Sequence, residues 1–199
     1  GDQAMNSICC LPLWHVGGWM QLERAWSTGG KVYFCDYRDL ENPKVAAKVS
    51  GNLISLVPAQ LHELMKSPTA ITALSEARGI FVGGAGMKSH LVDVSRSLNL
   101  PVCPCYGSSE TAGMITLLES GSFLNGINGV GSCLPHAEVR LSERNHQVLI
   151  KSSSLCIRRG KRNFVTNEWL QTPDFGKFDP LGNLTIEGRL DRLINTGGE

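Results

Sequence analysis

The hexapeptide at residues 106–111, Tyr-Gly-Ser-Ser-Glu-Thr, brings together side chains that can hold a nucleotide. Gly107 lets the backbone approach a ligand closely, Tyr106 offers a ring face, and the hydroxyl groups after them can donate to phosphate. Glu110 can hold a hard cation such as Mg²⁺ against the same phosphates. The hexapeptide alone is a weak signal, because an ordinary strand-to-loop turn has a similar composition.

Two other loops have comparable features. His15 follows an apolar run and precedes Gly17 and Gly18, and residues 83–86 read Gly-Gly-Ala-Gly after another apolar run. Because the carboxyl ends of parallel strands meet at one edge of a sheet, we expect these two loops and the hexapeptide to line one crevice. His15 has a second interpretation, as a packed histidine that is hydrogen-bonded to the backbone beside Trp14.

Strand and helix patterns alternate through residues 1–128, which predicts an α/β subdomain with a parallel sheet. The predicted strands are 7–13, 31–35, 53–57, 79–82 and 100–105. The predicted helices are 19–28, 43–50, one that begins at residue 58, a short one near 70–77, and 88–98. In the first helix, the spacing of Trp19, Leu22 and Trp26 predicts a buried stripe. Asn42 and Pro43 are typical of an N-cap and a first helical position.

The pattern changes after residue 128. Residues 138–141 and 147–151 predict one antiparallel hairpin, and residues 169–178 and 184–187 predict another. Together they indicate a small β-barrel-like subdomain over residues 129–187. The basic cluster at 158–162 is interpreted as a solvated loop, with a phosphate or coenzyme contact as the alternative.

Composition and charge exclude several classes of protein. The 199 residues are 42% hydrophobic and 19% charged, as in ordinary globular proteins. A net charge of +1 argues against nucleic acid or an anionic membrane as the main partner. No apolar run approaches the ~20 residues of a membrane span. Seven cysteines, an odd number mostly in apolar runs, indicate free thiols in a reducing cytoplasm, and Cys103 and Cys105 lack a second ligand pair for a metal.

Four segments, taken in order, resemble motifs of the adenylate-forming superfamily, which comprises acyl-CoA synthetases, luciferases and peptide-synthetase adenylation domains. They are residues 11–18 (LPLWHVGG), 83–85 (GGA), 106–111 (YGSSET) and 188–191 (GRLD). Their order and approximate spacing match as well, and they span nearly the whole chain. Within the superfamily, residues 55–61, 129–151, 184–191 and 197–199 are most similar to o-succinylbenzoate–CoA ligases of menaquinone and phylloquinone synthesis.

The resemblance implies an enzyme that joins o-succinylbenzoate to coenzyme A through an acyl-adenylate, with ATP and Mg²⁺. It also implies roles for individual residues. Thr111 would contact the ATP phosphates, Glu110 would hold Mg²⁺, and His15 would lie at the mouth of the acyl pocket. The adenine would be framed by Gly83, Gly84, Ala85 and Tyr106, with Gly107 also counted as nucleotide-binding. The ribose would be bound by Asp174, and the ribose or α-phosphate approached by Arg189. Asp191 would lie in a hinge, residues 188–199, that leads to a C-terminal domain.

These side chains also have ordinary structural interpretations. Glu110 and Asp174 are typical of capping or turn carboxylates, and Arg189 with Asp191 would make a surface ion pair. The chemistry implied by the resemblance needs no covalent enzyme intermediate, because the activation is stored in the mixed anhydride. The cysteines can therefore be structural.

The sequence departs from the superfamily in three places. The Ser/Thr/Gly-rich phosphate loop with its lysine is absent, and Met87 occupies the place where a Walker loop needs glycine. The C-terminal domain with its lysine is absent as well. The usual Thr-Gly-Asp reads Thr172-Pro173-Asp174, and proline removes an amide donor. We therefore expect a piece of a longer protein that is inactive, or nearly so, on its own.

Two alternative functions follow from the same motifs. The first is another acyl- or aryl-CoA synthetase, or an adenylation domain that loads a carrier protein. The second is a non-catalytic remnant that binds AMP. The oligomeric state, including a homo-oligomer, stays open at this stage.

Overall fold

A computed structural model describes residues 4–159, 162–163 and 168–192. The helices are α1 (Val16–Thr28), α2 (Pro43–Ala46), α3 (Pro58–Leu64), α4 (Pro68–Ser75), α5 (Ser89–Ser97) and α6 (Ser120–Leu124). The strands are β1 (Ser7–Cys9), β2 (Val32–Phe34), β3 (Leu53–Leu56), β4 (Gly79–Val82), β5 (Val102–Ser108), β6 (Gly113–Leu117), β7 (Ser132–Cys133), β8 (Ala137–Leu141), β9 (Gln147–Ser152), β10 (Arg158–Arg159), β11 (Arg162–Asn163), β12 (Leu170–Phe178) and β13 (Leu184–Arg189). Short 3-10 helices cover Tyr37–Glu41, Ser109–Thr111 and Leu190–Arg192.

The first sheet has the strand order β2-β1-β3-β4-β5-β6-β7. Strands β1 to β5 are parallel, which confirms the predicted α/β class, and their inward faces form the main core with the helices. The antiparallel edge made by β6 and β7 was not predicted. It arises because β5 continues through Ser108 and turns back within a few residues, so the hexapeptide belongs to a hairpin.

Gly107 is required at this hairpin by close backbone contact. A Cβ atom there would lie 1.8 Å from the carbonyl oxygen of Gly113. The turn also contains Ala112 with φ of 52°, a left-handed conformation that few non-glycine residues adopt. The two features allow β5 and β6 to pair tightly at the end of the strand.

The buried face of α1 differs from the predicted one. Trp19 and Trp26 are 51% and 84% exposed, and Gly18, Gln21 and Ala25 are the buried residues of the helix. Residue 18 is glycine where the helix passes very close to the preceding loop, since a Cβ atom there would lie 2.3 Å from the carbonyl oxygen of Pro12. The predicted tryptophan stripe was therefore wrong.

The predicted N-cap at Asn42 is confirmed, but the helix after it is short. The Asn42 side chain accepts a 3.0 Å hydrogen bond from the Lys44 amide, and Pro43 is the first helical residue. The α-helix ends at Ala46 rather than near residue 50, and the following residues form turns that lead to Gly51 with φ of 69°.

The second sheet has the order β13-β12-β9-β8 and is antiparallel throughout, which confirms both predicted hairpins. Val148, Ile150 and Leu170 form its buried core with Ile115 of the first sheet. The chain enters this sheet only after β7, which still pairs with β6 of the first sheet. The subdomain boundary at residue 128 stays a prediction.

Two predicted segments are only partly covered. Arg158–Arg159 pairs with Arg162–Asn163 as a two-stranded ribbon, and Lys161 lies outside the described residues. Residues 193–199 of the predicted hinge also lie outside them. Within the described residues, no helix is long and apolar enough to cross a bilayer.

Candidate functional site

A cleft of about 710 Å³ opens at the carboxyl edge of the first sheet. Its walls are the segments that follow β1, β3, β4 and β5, as expected for a ligand site in a parallel sheet. Six of the predicted site residues line it, namely His15, Gly83, Gly84, Gly107, Glu110 and Arg189. The loops that carry His15, Gly83 with Gly84, and the hexapeptide therefore converge on one cleft, as expected.

His15 lies at the N-cap position of α1 and is exposed to solvent at the cleft. Its backbone amide donates to the carbonyl oxygen of Pro12 at 3.0 Å, and its side chain makes no capping hydrogen bond. Because His15 is exposed, the alternative interpretation as a packed histidine does not fit the structure. The imidazole is placed where it can meet a bound molecule.

Thr111 lies beneath the cleft rather than on its surface. The residue is fully buried, and its Oγ1 accepts a 2.9 Å hydrogen bond from the Ser108 amide. The same hydroxyl lies 2.7 Å from the carbonyl oxygen of Gly113, to which it can donate. The side chain therefore braces the hairpin turn, and the phosphate contact expected from the resemblance stays a prediction.

The segment that follows β9 holds the backbone of the hexapeptide. The amide of Cys156 donates to the carbonyl oxygen of Glu110 at 2.7 Å, and the hydroxyl of Ser154 donates to the carbonyl oxygen of Thr111 at the same distance. Both donors belong to the segment that follows β9. The backbone position of Glu110 and Thr111 thus depends on contacts between segments more than 40 residues apart.

Asp174 connects three of the predicted residues. Its Oδ2 accepts a 2.6 Å hydrogen bond from the Tyr106 hydroxyl, and its Oδ1 lies 3.9 Å from Nε of Arg189, its cross-strand neighbour. The Asp174 side chain is 15% exposed. Burial raises the pKa of Tyr106, and the hydrogen bond to Asp174 raises it further, so the phenol stays a neutral donor.

Arg189 forms its shortest contacts with Asp191. Its Nε and Nη2 donate to the two carboxylate oxygens at 2.9 and 2.7 Å, a bidentate arrangement that raises the pKa of the guanidinium. Both side chains are about half exposed, so the ion pair expected from the structural interpretation is present. Arg189 still lines the cleft, within reach of a ligand that competes with Asp191.

Pro173 fits the strand in which it occurs. The pairing of β12 with β9 shifts register between Gln171 and Phe175, so no ladder bond is required at the proline. Thr172 Oγ1 accepts from the Asp174 amide at 3.1 Å and also lies 2.9 Å from the carbonyl oxygen of Val148. Asp174 therefore reaches Tyr106 from this irregular part of the strand, although Pro173 stands where the resemblance led us to expect glycine.

The glycine loop separates two hollows. Gly83 and Gly84 line the main cleft, whereas Ala85 lines a smaller hollow of about 390 Å³ on the α5 side. Cys105 contributes to both, and a Cβ atom on Gly83 would lie 2.9 Å from its sulfur. Burial raises the pKa of the Cys105 thiol to about 12, so the sulfur is a neutral packing group under this loop.

Sequence reasoning missed Arg24. Arg24 lines the cleft, its guanidinium carbon lies 5.3 Å from the ring centre of Phe81, and burial lowers the pKa of the guanidinium. Among the residues that the structure describes, no carboxylate lies within 4 Å of it. A helical pattern was present in the sequence, since Gly17, Met20 and Arg24 share one face of α1 and all three line the cleft.

Known proteins with similar sequences are about twice as long as this chain. It is 26% identical to a 2-succinylbenzoate–CoA ligase of Listeria monocytogenes and 30% identical to the Escherichia coli protein of the same name, in each case over 96% of this chain. The chain spans 42% and 40% of these two relatives. It therefore corresponds to less than half of their length.

The fold is shared with a solved relative. The o-succinylbenzoate CoA synthetase of Bacillus subtilis, in complex with the acyl-adenylate OSB-AMP, matches with a TM-score of 0.81. That match covers 100% of this chain and 44% of the other, at 23% identity. The same Bacillus protein in complex with ATP and magnesium ion also gives a TM-score of 0.81.

A family match covers most of the sequence and coincides with the cleft. Residues 2–160 match the family described as AMP-binding enzyme, and this range contains every predicted cleft residue except those on β12, β13 and the following turn. On that match, the chain belongs to the AMP-binding enzyme family.

Proposed function

We propose that this chain supplies the nucleotide- and acyl-binding cleft of an ATP-dependent ligase that joins o-succinylbenzoate to coenzyme A through an acyl-adenylate. The names of the relatives support this activity, and the bound OSB-AMP of the Bacillus protein supports the intermediate. The observation that carries the proposal is the meeting of His15, Glu110 and Arg189 in one cleft with Arg24, which has no carboxylate within 4 Å among the described residues. The seven free thiols are compatible with a cytoplasmic enzyme.

We assign the ribose end of the site to Tyr106 and Asp174, which do not line the 710 Å³ cleft themselves but adjoin it through Arg189, whose Nε lies 3.9 Å from the Asp174 carboxylate. The Asp174 carboxylate has about four lone-pair positions, of which the Tyr106 hydroxyl occupies one. The remaining positions can accept hydrogen bonds from the two ribose hydroxyls. Because Gly83 and Gly84 carry no side chains, the backbone of their loop can approach the flat face of an adenine.

Glu110 is the proposed Mg²⁺ ligand. Ser108 and Ser109 line the cleft beside it, so the donor set consists of oxygens, which suits a hard cation. The described residues contain no group of three or more His, Cys, Asp or Glu that would form a complete metal cage. One carboxylate is sufficient, because Mg²⁺ is commonly held by one or two carboxylates together with substrate phosphates and water.

The residues of the cleft would align two anions for reaction. A carboxylate that attacks the α-phosphate of ATP faces charge repulsion, so the two groups must be held in line and their charge offset. Mg²⁺ supplies part of that neutralisation when bound. Arg189 can turn from Asp191 toward the developing charge on the α-phosphate, and His15 can contact the acyl group. A coenzyme A thiol then attacks the acyl carbon and AMP leaves.

Arg24 is the proposed specificity residue for the acid. o-Succinylbenzoate carries two carboxylates, and only one of them is activated, so the other must be desolvated or paired. A half-buried guanidinium without a carboxylate partner in the described chain can pair with it. A monocarboxylate would leave that cation unpaired, which favours the dicarboxylate over simple acyl or aryl acids.

The test is product formation by the full-length polypeptide that carries this sequence. ATP, Mg²⁺ and coenzyme A are supplied with o-succinylbenzoate, benzoate or a fatty acid, and products are identified by mass. We expect the o-succinylbenzoyl thioester, AMP and pyrophosphate from the first acid only. If another acid but not o-succinylbenzoate gave a thioester, the proposed substrate would be wrong. If no acid gave an adenylate, the proposed ligase activity would be wrong.

The 199-residue chain itself tests the nucleotide site separately. We expect calorimetry to detect AMP binding that Asp174→Ala abolishes or strongly weakens, because the ribose loses its carboxylate partner. A matched change at an exposed carboxylate outside the cleft, Asp36→Ala, leaves the affinity unchanged. AMP binding that tolerates Asp174→Ala would show that the nucleotide lies elsewhere.

A further inference from the structure

Two cysteines lie side by side at the ends of neighbouring strands. Parallel pairing of β1 with β2 places Cys9 opposite Phe34, so the next residues along both strands are Cys10 and Cys35. The pairing continues to this point, since the Cys35 amide donates to the carbonyl oxygen of Cys9 at 3.3 Å. The Sγ atoms of Cys10 and Cys35 are 3.7 Å apart, and both residues are half-buried.

Backbone spacing at this place suits a covalent bond. Neighbouring strands lie about 4.8 Å apart. A disulfide joins Cα atoms about 4.4 to 6.8 Å apart. The remaining adjustment is rotation of two short side chains. Cys9, the third thiol nearby, is buried and faces another direction, where Gln21 Nε2 donates to its sulfur at 3.4 Å.

We propose that Cys10 and Cys35 form a thiol pair that low-molecular-weight disulfides oxidise to an intramolecular disulfide. In the first step the Cys35 thiolate attacks one sulfur of the small disulfide, whose S–S bond breaks and releases one small thiolate. In the second step Cys10 loses its proton to solvent and its sulfur attacks the Cys35 sulfur of the mixed disulfide, which releases the second small thiolate. The two small thiolates take up the protons that the two cysteines lost. Two protein thiols are oxidised and one small disulfide is reduced to two thiols.

The contact between the sulfurs distinguishes the two roles. Either thiol can donate in the contact between the two sulfurs, and this contact lowers the pKa of Cys35 and raises the pKa of Cys10. Asp36 and Asp39 lie near Cys35 and oppose its ionisation, but their carboxylates are engaged with the backbone at the start of the following 3-10 helix. We take Cys35 as the thiol that reacts first and Cys10 as the one that resolves the mixed disulfide; the disulfide itself follows from the 3.7 Å separation of the two sulfurs, whichever reacts first.

Of the two cysteines, Cys10 connects the thiol pair to the cleft. Cys10 directly precedes Leu11 and Pro12, which line the cleft, and its carbonyl oxygen accepts a 3.5 Å hydrogen bond from Gln60, another lining residue. A bond to Cys35 would fasten the start of the loop that carries His15 to the edge strand β2. The proposal concerns the thiols alone and does not depend on the ligase activity.

Peptide mass spectrometry tests the pair in the 199-residue chain. The reduced protein is incubated with glutathione disulfide, remaining thiols are alkylated, and the product is digested with trypsin. We expect peptide 1–24, which contains Cys9 and Cys10, linked to peptide 32–38, which contains Cys35. The link should disappear on treatment with dithiothreitol. Glutathione on the exposed Cys133 without any linked peptide would overturn the proposal.

Single variants identify the partners. The link should persist in Cys9→Ser and Cys133→Ser and be lost in Cys10→Ser and Cys35→Ser. If either serine variant fails to fold by circular dichroism, the corresponding alanine variant takes its place, and the wild-type linkage is read by fragmentation of the linked peptides. Fragment ions that join Cys9 rather than Cys10 to Cys35 would contradict the assignment.

Discussion

The hydroxyl of Tyr106 donates a 2.6 Å hydrogen bond to the carboxylate of Asp174, a residue 68 positions later in the chain. The bond joins the end of β5 in the first sheet to β12 in the second. The bond thereby couples the hexapeptide to Asp174, the residue proposed to bind the ribose. Because both groups are largely buried, loss of either partner affects the packing of the two sheets as well as the cleft.

Tyr106→Phe removes this hydrogen bond and retains the ring. We expect the free energy of unfolding to fall by about 1 to 2 kcal/mol, since a hydrogen bond to a charged acceptor is lost and Asp174 is only slightly exposed. Urea denaturation measures the effect, and Tyr33→Phe on the exposed surface of β2 is the control. In a double-mutant cycle with Asp174→Ala, additive effects would contradict the coupling.

Arg24→Met removes the cleft cation and preserves much of the apolar stem. For the full-length enzyme we expect the apparent affinity for o-succinylbenzoate to fall about 10- to 100-fold, since a charge-assisted hydrogen bond contributes about 1.5 to 3 kcal/mol. An analogue without the ring carboxylate should bind both enzymes equally. Arg38→Met, which alters an exposed cation over Tyr37, is the control. Equal losses for both ligands would assign Arg24 a structural role.

Glu110→Gln preserves the size of the side chain and removes its charge. We expect kcat for adenylate formation to fall about 100-fold or more, the size of effect seen when one group that stabilises transition-state charge is removed. The required Mg²⁺ concentration should rise, because the carboxylate ligand is lost. Glu63→Gln, in an exposed pair with Lys66, is the control. An unchanged Mg²⁺ dependence would remove Glu110 from the metal site.

Gly18→Ala tests the close approach of α1. A methyl group there would meet the carbonyl of Pro12 at 2.3 Å, so we expect destabilisation of about 1 to 3 kcal/mol from overpacking. Gly121→Ala is a matched change in α6 with no atom within 4 Å, and it should stabilise the protein by about 0.5 to 1 kcal/mol. Thermal unfolding compares the two. Similar melting temperatures for both variants would contradict the packing described for α1.

Asp179→Ala tests the turn between β12 and β13 and its pH dependence. Asp179 accepts hydrogen bonds from the amides of Leu181 and Asn183 and from the Asn183 side chain, which lower its pKa below the ordinary 3.8. A lowered folded-state pKa stabilises the fold above the unfolded value, and that contribution is lost as pH falls through the folded-state pKa. The difference in Tm between wild type and variant should therefore be constant near neutral pH and shrink below pH 3.8. A difference that is the same at all pH values would contradict this.

Local sequence signals were sufficient for the order of the elements. Alternating apolar runs predicted the strands of the first sheet, and Asn42 with Pro43 predicted a helix start that the structure confirms. The two hairpins after residue 136 were predicted from alternation and turn residues. These features are set by interactions between near neighbours in the chain, such as capping, turn formation and strand periodicity.

Tertiary packing decided which side chains of α1 are buried. Helical spacing groups Trp19 with Trp26, and it equally groups Gly18 with Gln21 and Ala25. The sheet selects the second set because its loop carbonyls approach the helix too closely for a side chain at residue 18. A pattern of large apolar residues cannot show this, since the choice depends on the distance between two elements.

The sequence by itself determined which loops carry candidate ligand-binding residues and that they follow strands of a parallel sheet. Only the tertiary structure decided that Thr111 faces the backbone while Arg24 faces the cleft, and that Asp174 meets Tyr106. The physical reason is the sequence separation over which each feature is determined. A motif specifies residue types over a few neighbouring positions, whereas the direction of a side chain depends on contacts with segments far away in the chain. Cys156 and Ser154 hold the hexapeptide through such contacts, from the segment that follows β9.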